Sequence, residues 1–337
     1  MPLVLDANDP TAIEAAAGRL AAGALVGMPT ETVYGLAADA DNASAVQRIF
    51  AAKGRPSDHP LIVHLAPGIG EQGWRAGVDH YARDVPLFAL ALMKAFWPGP
   101  LTLIVPRRPD VAAVAAGGQS SVGLRCPAHP VAQALLTAAA AHGMSGVAAP
   151  SANRFGRVSP TTARHVAEEF AALGDDELLI LDGGACPVGI ESTIVDCSRG
   201  APVLLRPGMV TQAQLEAACG QPVRERDEAA PRASGTLASH YAPRAKVRLM
   251  DAKPLQTALD VLGADAKHIA VYARSPMKAH RNASVRRMPM DAAAAAQELF
   301  AVLRELDGTG VRLIWVETPP ASPEWDGVRD RLERAAA

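Results

Sequence analysis

The sequence predicts an α/β protein of two domains: a larger mixed sheet flanked by helices, then a smaller α/β unit. Three observations lead there. Short apolar runs alternate with helix-patterned segments through the first two-thirds of the chain. Strict alternation fails after residue 178, where several strands follow with little helix, so a mixed sheet is favoured over an all-parallel one. The length, 337 residues, exceeds that of a usual single domain. Alanine supplies much of the 49% hydrophobic content and aromatics only 4%, which favours helices packed closely on a sheet.

Thr11-Ala12-Ile13-Glu14 has the form of a capping box and opens a helix that Gly23 can close. Residues 24–28 read as a strand ending at Pro29, and 42–53 as a helix stopped by Gly54. A short strand over 61–65 precedes a helix over 84–96, broken by Trp97-Pro98-Gly99-Pro100; 101–105 is again a strand. Pro130 suits the first turn of an alanine-rich helix ending near Gly143. Strands are expected near 146–149, 178–181, 192–196 and 203–206, with a helix around 161–171. The larger α/β domain is placed at 1–215, a linker or lid at 216–243, and the small α/β domain at 244–337, with strands near 247–250, 268–273 and 311–316 and helices near 254–262 and 291–306.

Formal net charge is −2; residues 1–215 hold 15 basic against 19 acidic side chains, and 216–337 hold 18 against 16. Neither part carries the basic excess of a protein that lives on phosphate backbone, so a non-catalytic module binding double-stranded RNA or tRNA is the weaker alternative. No run of about 18 apolar residues appears, and Met1-Pro2-Leu3-Val4-Leu5-Asp6 lacks the basic stretch and apolar core of a secretory signal. Cys126, Cys186, Cys197 and Cys219 form no C-x-x-C pair, which suits free thiols in a reduced cytoplasm. The N-x-S triplets at Asn42 and Asn282 then carry no weight.

Most chemical signatures fail. There is no G-x-x-x-x-G-K-[ST] loop and no G-x-S-x-G elbow. Gly68-Ile69-Gly70-Glu71-Gln72-Gly73 matches G-x-G-x-x-G, but a poor helix follows and no acid lies about twenty residues on, so a surface loop is expected. His59 and His64 have no third ligand at metal spacing, and Cys126-Pro127-Ala128-His129 lacks a partner pair; no protein metal cage is expected.

Four polar clusters remain, each where a strand or helix ends: Thr30-Glu31-Thr32, Lys53-Gly54-Arg55, Pro150-Ser151-Ala152-Asn153 and Glu191-Ser192-Thr193. Singly, each reads as a capped turn, a helix terminus or a strand edge. Together they matter more, because such ends converge on a ligand crevice in open α/β sheets, and cations facing hydroxyl-rich loops suit an anionic substrate.

In this order the clusters closely resemble the YrdC-like threonylcarbamoyl-AMP synthase family. The matching elements are Pro29-Thr30-Glu31-Thr32-Val33-Tyr34-Gly35-Leu36, Lys53-x-Arg55-Pro56, Pro98-Gly99-Pro100 before Leu101-Thr102-Leu103, Val122-Gly123-Leu124-Arg125, Pro150 to Asn153, Glu191 to Asp196, and Arg206-Pro207-Gly208. Ser239-His240-Tyr241-Ala242-Pro243 and the tail look like the long two-domain form. The resemblance implies a YrdC-like domain with a twisted mixed parallel and antiparallel sheet and a Rossmann-like C-terminal domain. It implies a cytoplasmic nucleotidyltransferase that converts L-threonine, bicarbonate or CO2 and ATP into threonylcarbamoyl-adenylate, pyrophosphate and water. The product would supply a downstream tRNA threonylcarbamoyl-transferase complex that modifies the adenosine next to the anticodon, with contact to tRNA indirect or weak and no membrane involved. Mg2+ would come with ATP, held mostly by water. Threonine is placed against Thr32, His64, Arg125, Ala149 and Ser192; ATP against Lys53, Arg55, His59, Ser121, Ser151, Asn153, Ser159, Arg206 and Tyr241; and catalysis on Lys53, Arg55, Ser151 and Asn153. His59 stands where the family often has Asn or Lys, and Ala149 can offer only its backbone.

Overall fold

The computed structural model describes residues 1–68, 73–280 and 283–337. Most of the Gly68 to Gly73 loop and Asn282 therefore lie outside the described residues. Two compact units are present: Met1–Phe155 with Ser159–Thr236, and Gly156–Val158 with Leu237–Ala337. The expected linker over 216–243 is thus divided, with residues up to Thr236 packed on the first unit.

The first unit contains β1 (Leu3–Asp6), α1 (Pro10–Ala21), β2 (Leu25–Met28), β3 (Gly35–Asp39), α2 (Ala43–Lys53), β4 (Ile62–His64), α3 (Arg75–Tyr81) and α4 (Leu87–Phe96). It continues with β5 (Leu101–Pro106), β6 (Ser121–Arg125), α5 (Pro130–Ala141), β7 (Val147–Ala148), α6 (Ala163–Glu169), β8 (Leu178–Asp182), β9 (Thr193–Asp196), β10 (Val203–Arg206) and α7 (Gln212–Cys219). The strands form one ten-stranded sheet, ordered β1-β8-β2-β3-β7-β4-β6-β5-β9-β10. Pairing is parallel for β1 with β8, β2 with β8, β4 with β6 and β5 with β9. It is antiparallel for β2 with β3, β3 with β7, β4 with β7, β5 with β6 and β9 with β10.

Two apolar clusters account for the layers. Ala12, Ala16, Ala17 and Leu20 of α1 meet Ala132, Leu135, Leu136 and Ala139 of α5 over Val26, Met28 and Leu179. The alanines let these helices lie close, while Leu20 and Leu135, both fully buried, each contribute about 1.5–3 kcal/mol by leaving water. The other cluster joins α2, α3, α4, α6 and α7 through Ile49, Val78, Leu92, Val166 and Leu215 to Leu36, Val63, Leu103 and Leu124.

Local chemistry sets the ends. The expected capping box at Thr11 is displaced: Asp9 caps α1, its carboxylate accepting the Thr11 N–H at 2.9 Å, and Pro10 fills the first turn. Asn42 caps α2 and Gly54, left-handed at φ +61°, ends it. The helix expected from residue 84 begins at Leu87, because the residue before Pro86 is disfavoured in helical conformation. β1, β3, α3 and α7 had not been anticipated.

The second unit holds β11 (Lys246–Met250), α8 (Ala252–Leu262), β12 (Ile269–Ala273), β13 (Ser284–Arg287), α9 (Ala292–Gly308), β14 (Leu313–Glu317) and α10 (Asp326–Ala336). Its sheet, β11-β14-β12-β13, is parallel throughout, a small Rossmann-like arrangement; β13 and α10 are additions to the sequence reading. Among the described residues no helix is long and apolar enough to cross a membrane.

The Arg206-Pro207-Gly208 turn shows why glycine stands there. A Cβ on Gly208 would lie 2.6 Å from the Thr193 nitrogen and 2.8 Å from its Oγ1. Gly208→Ala should destabilise the protein by about 1–3 kcal/mol, read as a lower midpoint in urea unfolding.

Candidate active site

The Thr30–Thr32 turn between β2 and β3 is buried and points its hydroxyls inward. Arg125, the last residue of β6, donates from Nη1 to Thr32 Oγ1 at 2.8 Å and from Nε to the Gly99 carbonyl at 3.2 Å. Thr32 and Thr30 hydroxyls lie 2.8 Å apart, and Thr30 donates to the Val33 carbonyl at 2.6 Å. The proton direction is therefore fixed, from Arg125 through Thr32 to Thr30. Arg125 Nη2 also stands 2.6 Å from Glu31 Oε1.

His64, the last residue of β4, pairs in register with Arg125. Burial, and then the charge of Arg125, push its imidazole down to about 3, so it is neutral at working pH. Ala149 follows β7 and donates its N–H to the Ile62 carbonyl. This corner also contains Cys126 and Cys186, whose buried thiols are both pushed up to about 12.

A second group forms at the end of α2. Lys53 donates from Nζ to the carbonyls of Ser151, at 2.5 Å, and Asn153. Burial and the neighbouring Arg55 hold its ammonium well below the ordinary lysine range. Two of its three N–H bonds are thus taken by carbonyls. Arg55 donates to the carbonyls of His59 (3.3 Å) and Pro60 (2.8 Å) and packs 5.8 Å from the Phe155 ring, against which His59 also stands edge-on.

A third group surrounds Arg206, at the end of β10. Its Nε donates to the Ser192 carbonyl at 3.0 Å and Nη2 to Ser192 Oγ at 3.2 Å; Ser192 Oγ lies 2.8 Å from Thr102 Oγ1. Ser159 donates to the buried carboxylate of Glu191.

Ser234 ties the second group to the third. Its hydroxyl accepts from Arg55 at 3.0 Å and donates to the Pro60 carbonyl, while its own carbonyl accepts from Arg206 at 2.9 Å. Arg232, Ala233 and Ser234 line a cleft of about 10 Å3 together with Ile62, Thr102 and Ser121, room for no more than one water. Thr102 is next to Leu103, which pairs with Leu124, so the first group adjoins the third across β5 and β6.

The first unit thus links Thr32, Lys53, Arg55, His59, His64, Arg125, Ala149, Ser151, Asn153, Ser159, Ser192 and Arg206 through neighbouring strand and helix ends, while Ser121 opens β6 at the end opposite Arg125 and joins them as a wall of the cleft at Ser234. Tyr241 belongs to the second unit, where it is buried at φ +60° with its ring 5.4 Å from Phe300 and the Arg331 guanidinium 5.4 Å from its centre. Glu31, Thr102, Glu191 and Ser234 were not singled out from the sequence. The first three sit inside the quoted motifs; Ser234 carried no signal beyond a small, polar stretch.

A family profile for Sua5, YciO and YrdC, described as Telomere recombination, matches residues 19–208. A second, described as threonylcarbamoyl-AMP synthase, C-terminal domain, matches residues 210–337. Over 335 residues the chain is 37% identical to a threonylcarbamoyl-AMP synthase of Pyrococcus abyssi, covering 96% of this chain and 94% of that protein. The chain belongs to the YrdC-like threonylcarbamoyl-AMP synthase family. A Bacillus subtilis threonylcarbamoyl-AMP synthase is 36% identical over 346 residues, with 98% and 94% covered. The crystal structure of P. abyssi Sua5 complexed with L-threonine is similar at a TM-score of 0.86 and 36% identity, covering 100% of this chain and 97% of that one.

One consequence of the buried His64 concerns stability. Its folded-state affinity for protons is lowered, so the unfolded chain binds the proton first as pH falls. The contribution is intact above the ordinary histidine value of 6.5 and is lost as pH falls from there toward about 3. Unfolding free energy should fall through that window, by up to about 1.4 kcal/mol per pH unit from this group. Urea unfolding at a series of pH values should show this slope, and His64→Gln should flatten it.

Proposed function

We propose that the chain makes threonylcarbamoyl-AMP from L-threonine, bicarbonate or CO2, and ATP, releasing pyrophosphate and water. The observation that carries this reading is the set of buried cations, Lys53, Arg55, Arg125 and Arg206, held within one unit beside hydroxyl-rich turns. The names of its relatives support the same reaction.

In this reading threonine lies against Thr32, His64, Arg125, the Ala149 backbone and Ser192. Its amine becomes a carbamate, whose oxygen attacks the α-phosphate of ATP and expels pyrophosphate. Lys53, Arg55 and Arg206 face the charge that builds on the phosphates, and their hydrogen bonds to carbonyls fix them in place beforehand. The carbonyl and hydroxyl of Ser234 then stand where phosphate oxygens would accept from Arg55 and Arg206. The nucleotide side is completed by His59, Ser121, Ser151, Asn153 and Ser159. Carbamates decompose in water, so a narrow and closable hollow suits the intermediate.

Mg2+ would enter with ATP, held mostly by water, and would neutralise phosphate charge. The product would feed the transferase complex that modifies the adenosine next to the anticodon in cytoplasmic tRNA.

Purified protein given threonine, bicarbonate, Mg2+ and ATP should release pyrophosphate, and mass spectrometry with labelled bicarbonate should find the label in an adenylate. Release that persists without threonine or without bicarbonate would exclude the reaction. Arg55→Ala should lower kcat/KM by about 100-fold or more, and wild-type turnover would remove it from the phosphate wall. Because burial lowers the Lys53 ammonium, the alkaline limb of the rate should fall below the ordinary lysine range. Lys53→Arg should move whatever activity remains to higher pH.

A further inference from the structure

The buried ion pair of Glu31 and Arg125 has unusual geometry. Glu31 Oε1 is 2.6 Å from Arg125 Nη2, yet the contact is off-line. Both Glu31 oxygens and Arg125 Nη2 are buried without a hydrogen bond among the described residues, as is Nδ1 of His64, the register partner of Arg125. A buried pair kept for stability alone would need good geometry and partners for its remaining lone pairs and protons. Orphaned polar atoms clustered at one place instead point to a polar ligand that completes them.

The surrounding charges narrow the ligand. Cys126 and Cys186 are neutral thiols, His129 is lowered by burial, and His64 is neutral, so the charges facing each other here are Glu31 and Arg125. One carboxylate and one guanidinium, each with an unused face, match a molecule bearing one ammonium and one carboxylate. A purely anionic ligand would meet Glu31 repulsively.

We infer that Glu31 and Arg125 together receive the two charged ends of an amino-acid zwitterion, Arg125 taking the carboxylate and Glu31 the ammonium, and that Glu31 is the first acceptor of the ammonium proton. This rests on the threonine reading above. An N–H bond of the ammonium breaks as an O–H bond forms on Glu31, freeing the nitrogen lone pair. The lone pair forms the N–C bond to bicarbonate, the C–OH bond breaks, and the departing hydroxide takes a second nitrogen proton as water. The carbamate remains, and Glu31 returns its proton to solvent. As the substrate gains negative charge, Glu31 loses its own, so the hollow accumulates less repulsion.

The test compares wild type and Glu31→Gln by threonine-dependent pyrophosphate release across pH, with thermal melting as the check on folding. Near pH 7 the variant should lose at least about tenfold in kcat/KM for threonine, as expected for a lost charge-assisted hydrogen bond. Toward about pH 9.5, where much of the threonine amine is already neutral, the ratio of variant to wild type should climb back toward one. A ratio near one throughout, or a loss that does not change with pH, would overturn the assignment. A second readout needs no variant: 3-hydroxybutyrate, which lacks only the amine, should bind the wild-type protein at least about tenfold more weakly than threonine. Equal affinity for the two would likewise overturn it. Threonine that fails to bind the wild type at all would indict the substrate reading itself and not Glu31 in particular.

Discussion

Four buried cations set the terms for the first unit. A buried ammonium or guanidinium is tolerated only with partners, and a carboxylate partner would cancel the charge that a phosphate needs. The chain uses backbone carbonyls for much of this duty: Ser151 and Asn153 for Lys53, His59 and Pro60 for Arg55, Gly99 for Arg125, Ser192 and Ser234 for Arg206. Carbonyl dipoles orient a cation and solvate it while leaving its net charge in place. The motifs therefore sit at turns, where carbonyls are not consumed by helix or sheet pairing.

The mixed sheet brings those turns into register. Had it been all-parallel, the exits of β2, β4, β6 and β10 would depend on long crossovers for their spacing. Antiparallel β3 and β7 stand between β2 and β4, so that Val147 of β7 pairs with His64; His64 and Arg125 are side by side on parallel β4 and β6, and Arg125 reaches the Thr30–Thr32 turn. Residues distant in the chain thus share one wall with little room for adjustment, and Gly208 is one of the places where that closeness leaves no space for a side chain.

Much of this was legible in the sequence. The capped, glycine-stopped α2 and the apolar runs of β4, β5, β9 and β10 follow from period and punctuation, and the ordered motifs located the cations. β3 escaped because Gly35-Leu36-Ala37-Ala38-Asp39 has neither β-branched residues nor alternation, being buried on both faces by neighbours that sequence alone does not reveal. α7 and α10 are short helices whose faces are defined by what they pack on. Ser234 was invisible for a different reason: it contributes a carbonyl and a hydroxyl at a distance of 179 positions from Arg55, and any small polar residue would read alike. The pairing of Glu31 with Arg125 is of the same kind, since 94 positions separate two residues whose meaning lies in their contact.

The buried thiols carry one more implication. Alkylating reagents attack the thiolate, and Cys126, Cys186 and Cys197 are both enclosed and held in the neutral form. They are consequently natural clocks: each labelling event must wait for the layers around it to part. The pace at which the three become modified would report how often different sectors of the first unit breathe, without any probe having to be introduced.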